Sequence, residues 1–290
     1  MNKRLIIVRL HGGLGNQLFQ IAAAIYYKDK FHINNIYLDT SSLSNYSTKR
    51  NCELKFIEPL LKDFIFIPKL NLYLRILSRL RLPKFFNGRI LNYFFSSYRY
   101  SPQLISKKIQ YIFIDGYFQD SEIAKSLRNK NTIKLFSKYS YIFNLLRNIS
   151  NTKKIVGLHV RRGDYLSDKS KKIFKEVDLI YYKFATKSFN KDSIFLVFGD
   201  DYKFNDSLIE KLEENKAVFF NSATFNLELH EEFMLLCLCD HYIISNSTFS
   251  WWAAFLGYSK GKRVISPKSW YQDKLRNEKN SLIFKYFELI

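Results

Sequence analysis

No acidic residue falls between Asp63 and Asp115, although nine Lys and Arg side chains do, from Lys69 to Lys108. The formal charge of +20 is accordingly uneven, with 24 Lys+Arg against 8 Asp+Glu over residues 1–150 and 22 against 18 over 151–290. A basic patch of this kind fits an anionic partner such as lipid headgroups, nucleic acid or a phosphorylated acceptor. It fits equally a chain that is rich in Lys, Asn and Ile throughout. Ten Gly and five Pro argue against collagenous or linker-rich architecture, and 47% hydrophobic residues exclude a disordered chain. Three cysteines, Cys52, Cys237 and Cys239, make neither a metal-ligand pattern nor a disulfide framework, which favours a reduced, cytoplasmic setting. No stretch reaches the roughly 20 apolar residues of a membrane span, and the apolar run before His11 is too short for a signal peptide.

What is present is organised around Lys154–Asp168. Ile155-Val156-Gly157-Leu158-His159-Val160 is an apolar run of the buried-strand type, and it breaks without a spacer into Arg161-Arg162-Gly163-Asp164-Tyr165. In open α/β sheets ligands lie at the carboxyl ends of strands, and guanidinium forks match phosphate oxygens. An anionic, phosphorylated ligand is expected here, with a surface turn carrying an Arg–Asp pair as the bland alternative.

The rest of the second half alternates regularly. Helix is expected over 178–189, strand over 193–198, helix over 205–215 with Asp206 in its first turn, and strand over 217–220. Helix over 227–239, strand over 241–245, helix over 248–256 and a last strand over 264–266 follow. Such a series predicts a parallel sheet with crossover helices. In the first half, strand 4–10, the loop Gly12-Gly13-Leu14-Gly15-Asn16-Gln17 and an amphipathic helix form a nucleotide-type opening unit, followed by strands at 36–39 and 111–115 and a helix from Ser121. The glycine spacing is neither GxGxxG nor a Walker loop. Between residues 45 and 110 the pattern is poor. Leu70–Leu82, with Arg75, Arg79 and Arg81 among its leucines, reads either as a basic membrane-surface helix or as a packed helix with solvated arginines. The best boundary candidate is Ser150-Asn151-Thr152, dividing the chain into 1–150 and 151–290.

Three strand exits in the second half carry chemistry: His159 with Arg161, Arg162 and Asp164; Gly199 with Asp200 and Asp201; and Ser245-Asn246-Ser247-Thr248-Phe249 opening a helix. Along one sheet edge these bring arginines for phosphate, carboxylates for base or ribose, and a helix N-terminus for anions, which outlines a nucleotide-diphosphate site.

The segments GGLGNQLFQ, HVRRGDY, FGDD and SNSTFSWWAAFLG, in this order, resemble glycosyltransferase family 11, the α-1,2-fucosyltransferases, from Arg4 to about Trp270. Gly199 departs from the serine common in that family before the two aspartates. The resemblance implies a GT-B-like α/β fold, two Rossmann-like halves facing a cleft, with an acceptor-side domain over 1–150 and a GDP-fucose-binding domain over 151–290. It implies Arg162 on the diphosphate with Arg161 assisting, and His159 and Asp200 or Asp201 near guanine and ribose. Ser247, Thr248 and Phe249 would cap phosphates and base, while Gly13, Gly15, Asn16 and Gln17 would face fucose and pyrophosphate. Trp251 and Trp252 read as core.

The implied reaction is a single inversion moving L-fucose from GDP-β-L-fucose to the 2-hydroxyl of a terminal β-galactose. The acceptor would be an oligosaccharide or lipid-linked precursor of a surface polysaccharide. Arg162, Asp164 and His159 are the catalytic candidates, and Asp164, His11 and Asp115 the candidate bases. Adjacent Asp200 and Asp201 do not form a DxD metal site, so neither a metal nor another cofactor is expected. Alternatives are another fucosyl linkage, another GDP-sugar, or, outside enzymes, a basic membrane- or polyanion-binding module. No nucleic-acid motif supports a nucleic-acid partner, and peripheral contact with the inner face of an anionic membrane stays open.

Overall fold

The computed structural model describes residues 4–43, 51–67, 92–95, 111–128, 130, 136–212 and 217–290, with 92–95, Tyr111, Asp164, Leu166 and Lys169 described by backbone only. The basic stretch from Lys69 to Lys108, apart from the backbone of 92–95, and the Leu70–Leu82 segment lie outside the described residues. Two compact units form, Met1–Leu135 and Phe136–Ile290. The division precedes the Ser150-Asn151-Thr152 turn because the helix ending at Ser150 packs on the second unit.

In the first unit, β1 (Leu5–Arg9), α1 (Leu14–Phe31), β2 (Asn35–Asp39), β3 (Phe64–Ile67), β4 (Asn92–Phe95), β5 (Tyr111–Asp115) and α2 (Ser121–Arg128) follow in chain order. The five strands are parallel in the order β3-β2-β1-β5-β4. The chain steps outward from β1 through β2 to β3 and then returns to the other flank of β1, so the direction of progression switches between β1 and β5. Ile6, Ile7 and Val8 are buried, as central strands covered on both faces require. Strands β3 and β4 fall in the stretch that reads poorly. β3 takes an edge position with Ile65 and Phe66 exposed, which breaks the burial pattern a sequence reader looks for.

The second unit contains α3 (Ser140–Ser150), β6 (Ile155–Val160), α4 (Asp168–Lys171), α5 (Leu179–Lys187), β7 (Ile194–Gly199), α6 (Tyr202–Leu212), β8 (Val218–Asn221), α7 (Leu229–Cys237), β9 (His241–Ile243), α8 (Thr248–Gly257), β10 (Val264–Ser266), α9 (Lys274–Glu278) and β11 (Phe287–Leu289). Its six parallel strands run β11-β10-β9-β6-β7-β8. Every residue of β6 and β7 is buried. Two expectations need correction. Val264–Ser266 is not the last strand, since Phe287–Leu289 pairs beside it. Helix α6 starts at Tyr202 rather than near Asn205, because the Asp201 carboxylate accepts from the Phe204 amide at 3.1 Å and so caps it. Asp206 thereby falls outside the first turn and instead accepts from Asn221 Nδ2 at 2.7 Å.

Trp251 and Trp252 are wholly buried in α8, whose uniformly apolar surface suits an interior helix. Cys237 and Cys239, at and just after the end of α7, are also buried, and burial pushes both thiols up. Among the described residues no helix is long and apolar enough to cross a membrane.

Helix α5 is pinned by one buried hydroxyl. Tyr181 donates toward the carbonyls of Ile244 at 2.7 Å and Ile265 at 3.1 Å, joining the ends of β9 and β10. Tyr181→Phe leaves both acceptors without that partner and is expected to cost about 1–3 kcal/mol. Urea denaturation followed by far-UV circular dichroism checks it, and an unchanged midpoint would count against the hydroxyl's role.

Candidate functional site

The progression of the second sheet reverses between β6 and β9, and at such a switch point the loops leaving two neighbouring strands diverge and open a crevice. The described polar side chains gather there. His159, the penultimate residue of β6, meets Ser245 just beyond β9, with Nδ1 and Oγ 2.8 Å apart. Its ring stacks on Phe249 of α8 at 5.4 Å. Burial, reinforced by the Arg161 charge and opposed by Asp200, lowers the imidazole to about 3. A ring kept neutral in this way is a weak proton acceptor near neutrality, and its bond to Ser245 and its stacking on Phe249 fix its orientation at the exit of β6.

One carboxylate joins the exits of β6 and β7. Asp200 accepts from Arg161 Nη1 at 2.6 Å and from the backbone amide of Arg162 at 3.1 Å. Gly163 is required by the same contact, because a Cβ built there would stand 2.3 Å from Asp200 Oδ2. Asp200 is thus engaged by the loop after β6, and Asp201 caps α6. Both carboxylates remain about a third exposed, at 32% and 38%, so lone pairs beyond these contacts stay open to solvent.

The two arginines differ. Arg161 is paired to Asp200 and lies over Tyr165 at 5.3 Å. Arg162 lies flat on Phe204 of α6, its Cζ 3.9 Å from the ring centroid. Among the described residues its nearest carboxylate oxygens, on Glu176 and Asp201, are each 3.8 Å away, and its buried Nε has no hydrogen-bond partner. A guanidinium oriented by stacking and left short of hydrogen bonds is poised for an anion. The side chain of Asp164 lies outside the described residues; its backbone belongs to a single turn over Gly163–Leu166.

Ser247 caps α8, its Oγ accepting from Phe249 N at 3.3 Å, so Ser247, Thr248 and Phe249 form the helix's N-terminal edge. Asn246, which the sequence reading quoted without a role, is almost wholly buried. It donates to the carbonyls of Lys175 at 2.6 Å and Trp270 at 3.0 Å, and its own carbonyl accepts from the Tyr165 hydroxyl at 3.0 Å. These bonds hold the 163–177 excursion beside the strand exits and border a cavity of about 210 Å³ that Arg162, Lys171 and Phe174 also line. Glu232 on α7 was likewise missed. It accepts from Ser222, and burial, with Asp200 adding to it, raises its carboxyl. Its only sequence signal is an acidic residue inside an otherwise apolar helical face.

The first unit has its own switch point, closed by a glutamine. Gln20, buried in α1, accepts from His11 N at 3.1 Å and donates to Gly116 O at 3.2 Å, joining the exits of β1 and β5. Gly12, at φ +78°, makes the turn into the helix. Gly13 is the N-cap, Gly15 is buried in the first turn, and Asn16 accepts from Gln119 at 3.0 Å. Gln17 does not face open space. Its amide donates to Gly12 O and Asn51 O and accepts from Glu53 N, all within 3.0 Å, so it clasps a loop. Of the candidate bases, Asp115 is ion-paired to Arg9 Nη1 at 3.0 Å, and His11 packs in a tilted arrangement against Tyr117, their centroids 4.7 Å apart, with its imidazole lowered, chiefly by burial. Among the described residues no group of three or more His, Cys, Asp or Glu side chains converges as a metal site.

The buried His159 sets a pH dependence. The unfolded state takes up its proton below about pH 6.5 while the folded state refuses it until about pH 3. Stability is therefore lost as pH falls through that window, by about 2 kcal/mol at pH 5 for this group alone. Urea midpoints from pH 7 to 5 should fall less steeply in His159→Gln than in the wild type, and parallel slopes would contradict the burial of a neutral ring.

The glycosyl transferase family 11 profile matches residues 5–286. The O-antigen biosynthesis glycosyltransferase WbnK of Escherichia coli is 30% identical, over 90% of this chain and 93% of its own. An alpha-1,2-colitosyltransferase of Escherichia coli is 26% identical, over 96% and 95%. Among solved structures, a mutant of Arabidopsis thaliana FUT1 in complex with GDP superposes with a TM-score of 0.51 at 12% identity, over 90% of this chain and 70% of that one, a likeness of fold. The fold is GT-B-like, built from parallel α/β units, and the chain belongs to glycosyltransferase family 11.

Proposed function

We propose that this glycosyltransferase moves L-fucose from GDP-β-L-fucose to the 2-hydroxyl of a terminal β-galactose on a surface-glycan precursor, with inversion and without a metal. The observation that carries the reading is Arg162, whose guanidinium is fixed on Phe204 with its Nε unbonded, at a switch point beside the N-terminus of α8. In the reaction the bond between the anomeric carbon and the β-phosphate oxygen breaks, the bond to the galactose O2 forms on the opposite face, and the hydroxyl proton passes to a carboxylate or water. Negative charge grows on the departing diphosphate, and a preorganised guanidinium at that oxygen stabilises it without reorganising. The oxocarbenium character of the sugar leaves little for a base to do.

Support for the linkage comes from the relative named as an alpha-1,2-colitosyltransferase, and support for a glycan acceptor from the O-antigen relative. The metal-free reading rests on Asp200 and Asp201, both committed to the loop and the α6 cap rather than to a cation. The colitosyl relative also favours a second reading, in which another GDP-sugar is the donor.

Incubation of the purified enzyme with GDP-fucose and lactose-type acceptors, with linkage analysis of the product, tests the proposal; no transfer to any galactoside would sink it. Arg162→Ala is expected to lower kcat by about 10²–10³-fold with folding intact. Arg162→Lys should recover little, because an ammonium neither stacks nor forks in the same way. Turnover is expected to survive chelation by EDTA.

A further inference from the structure

We infer that Lys171 and Lys175, with Arg162, form a phosphate subsite in the cavity under the 163–177 excursion. Four cationic side chains line that cavity against the single carboxylate of Glu176. Arg161 is compensated by Asp200, and Glu176, mostly exposed, stands 3.8 Å from Arg162. Among the described residues neither lysine ammonium has an ion-pair partner.

The backbone carrying these lysines is nonetheless clamped. Lys175 N donates to Trp270 O at 3.1 Å, and its carbonyl accepts from Asn246. Gln272 donates through Nε2 to the carbonyls of Lys171 and Phe174, each at 3.2 Å, and through its amide to Ile173 O at 2.9 Å. Tyr165 and Phe174 stack at 4.3 Å, closing the excursion from within. A segment held this firmly, presenting uncompensated ammonium groups beside a guanidinium whose Nε has no hydrogen-bond partner among the described residues and whose carboxylate neighbours, Glu176 and Asp201, stand 3.8 Å off, is suited to a multiply charged oxyanion. At about 210 Å³ the space is smaller than the roughly 300–1,000 Å³ pockets that take whole small molecules, so it suits a charged group rather than a glycan. Reading that group as phosphate rests on the nucleotide-sugar chemistry proposed above. Its source is either the donor's β-phosphate or a phosphate on the acceptor.

Titration calorimetry with inorganic pyrophosphate on the purified full chain tests the cation cluster directly. The Lys171→Ala/Lys175→Ala pair is compared with Lys187→Ala/Lys191→Ala, two exposed lysines at the opposite edge of the same sheet. The first pair is expected to weaken pyrophosphate about tenfold or more, the second to leave it unchanged, and Lys171→Arg/Lys175→Arg to retain it. Lys171→Gln/Lys175→Gln replaces the alanine pair should that fail to fold. Weakened GDP with unaltered GMP assigns the group to the donor's β-phosphate. Unaltered GDP with a raised KM for a phosphorylated but not a neutral galactoside assigns it to the acceptor. Unchanged pyrophosphate affinity in the first pair, or an equal loss in the second, overturns the inference. A wild type that binds pyrophosphate but neither GDP nor GDP-fucose would remove the proposed donor and leave the subsite standing.

Discussion

The carboxylate of Asp200 accepts from the Arg161 guanidinium and from the Arg162 amide, so the loop after β7 sets the geometry of the loop after β6. Most of the site depends on that double acceptance. It neutralises one of two adjacent arginines, which leaves the other to be oriented by Phe204 and to carry the charge available to a ligand. It also dictates the glycine after the arginines, since the volume a Cβ would need is filled by the carboxylate itself. A surface ion pair contributes little alone. This one is only partly exposed and shares its acceptor with a backbone N–H, so its value lies in fixing a turn.

The two units solve a common problem with different residues. At each switch point two neighbouring loops part, and buried backbone groups there lose their ladder partners. In the first unit the Gln20 amide bridges the two exits, and in the second His159, Ser245 and Asn246 do so. These side chains are neutral at physiological pH and almost wholly buried, which suits bridges that must not draw water into the crevice.

Strand and helix order in the second unit could be read directly, because β6, β7 and β10 are short apolar runs bounded by polar exits and α8 is apolar all round. The family motifs were legible for the same reason, being the polar interruptions of those runs. Boundaries went astray where a side chain intervened. Asp201 captured the start of α6, and helix packing drew Ser140–Ser150 across the expected boundary. Roles proved harder to read than positions. The amide of Gln17 in GGLGNQ closes on Asn51 and Glu53, a tertiary fact with no periodic signature. Asn246, Glu232 and the lysines of the 163–177 excursion stayed hidden because their importance comes from what the chain brings beside them, more than seventy residues away for Asn246 and Lys175.

The neutral, buried His159 has a consequence for how the enzyme responds to its surroundings. A ring that stays uncharged over the whole physiological range acts as a fixed dipole, presenting the same donor and acceptor to its neighbours whatever the proton concentration. Hydrogen bonding on that side of the crevice is then insulated from mild acidification. Any acid limb in turnover must originate in groups open to solvent, in the phosphates of the bound nucleotide or in the acceptor.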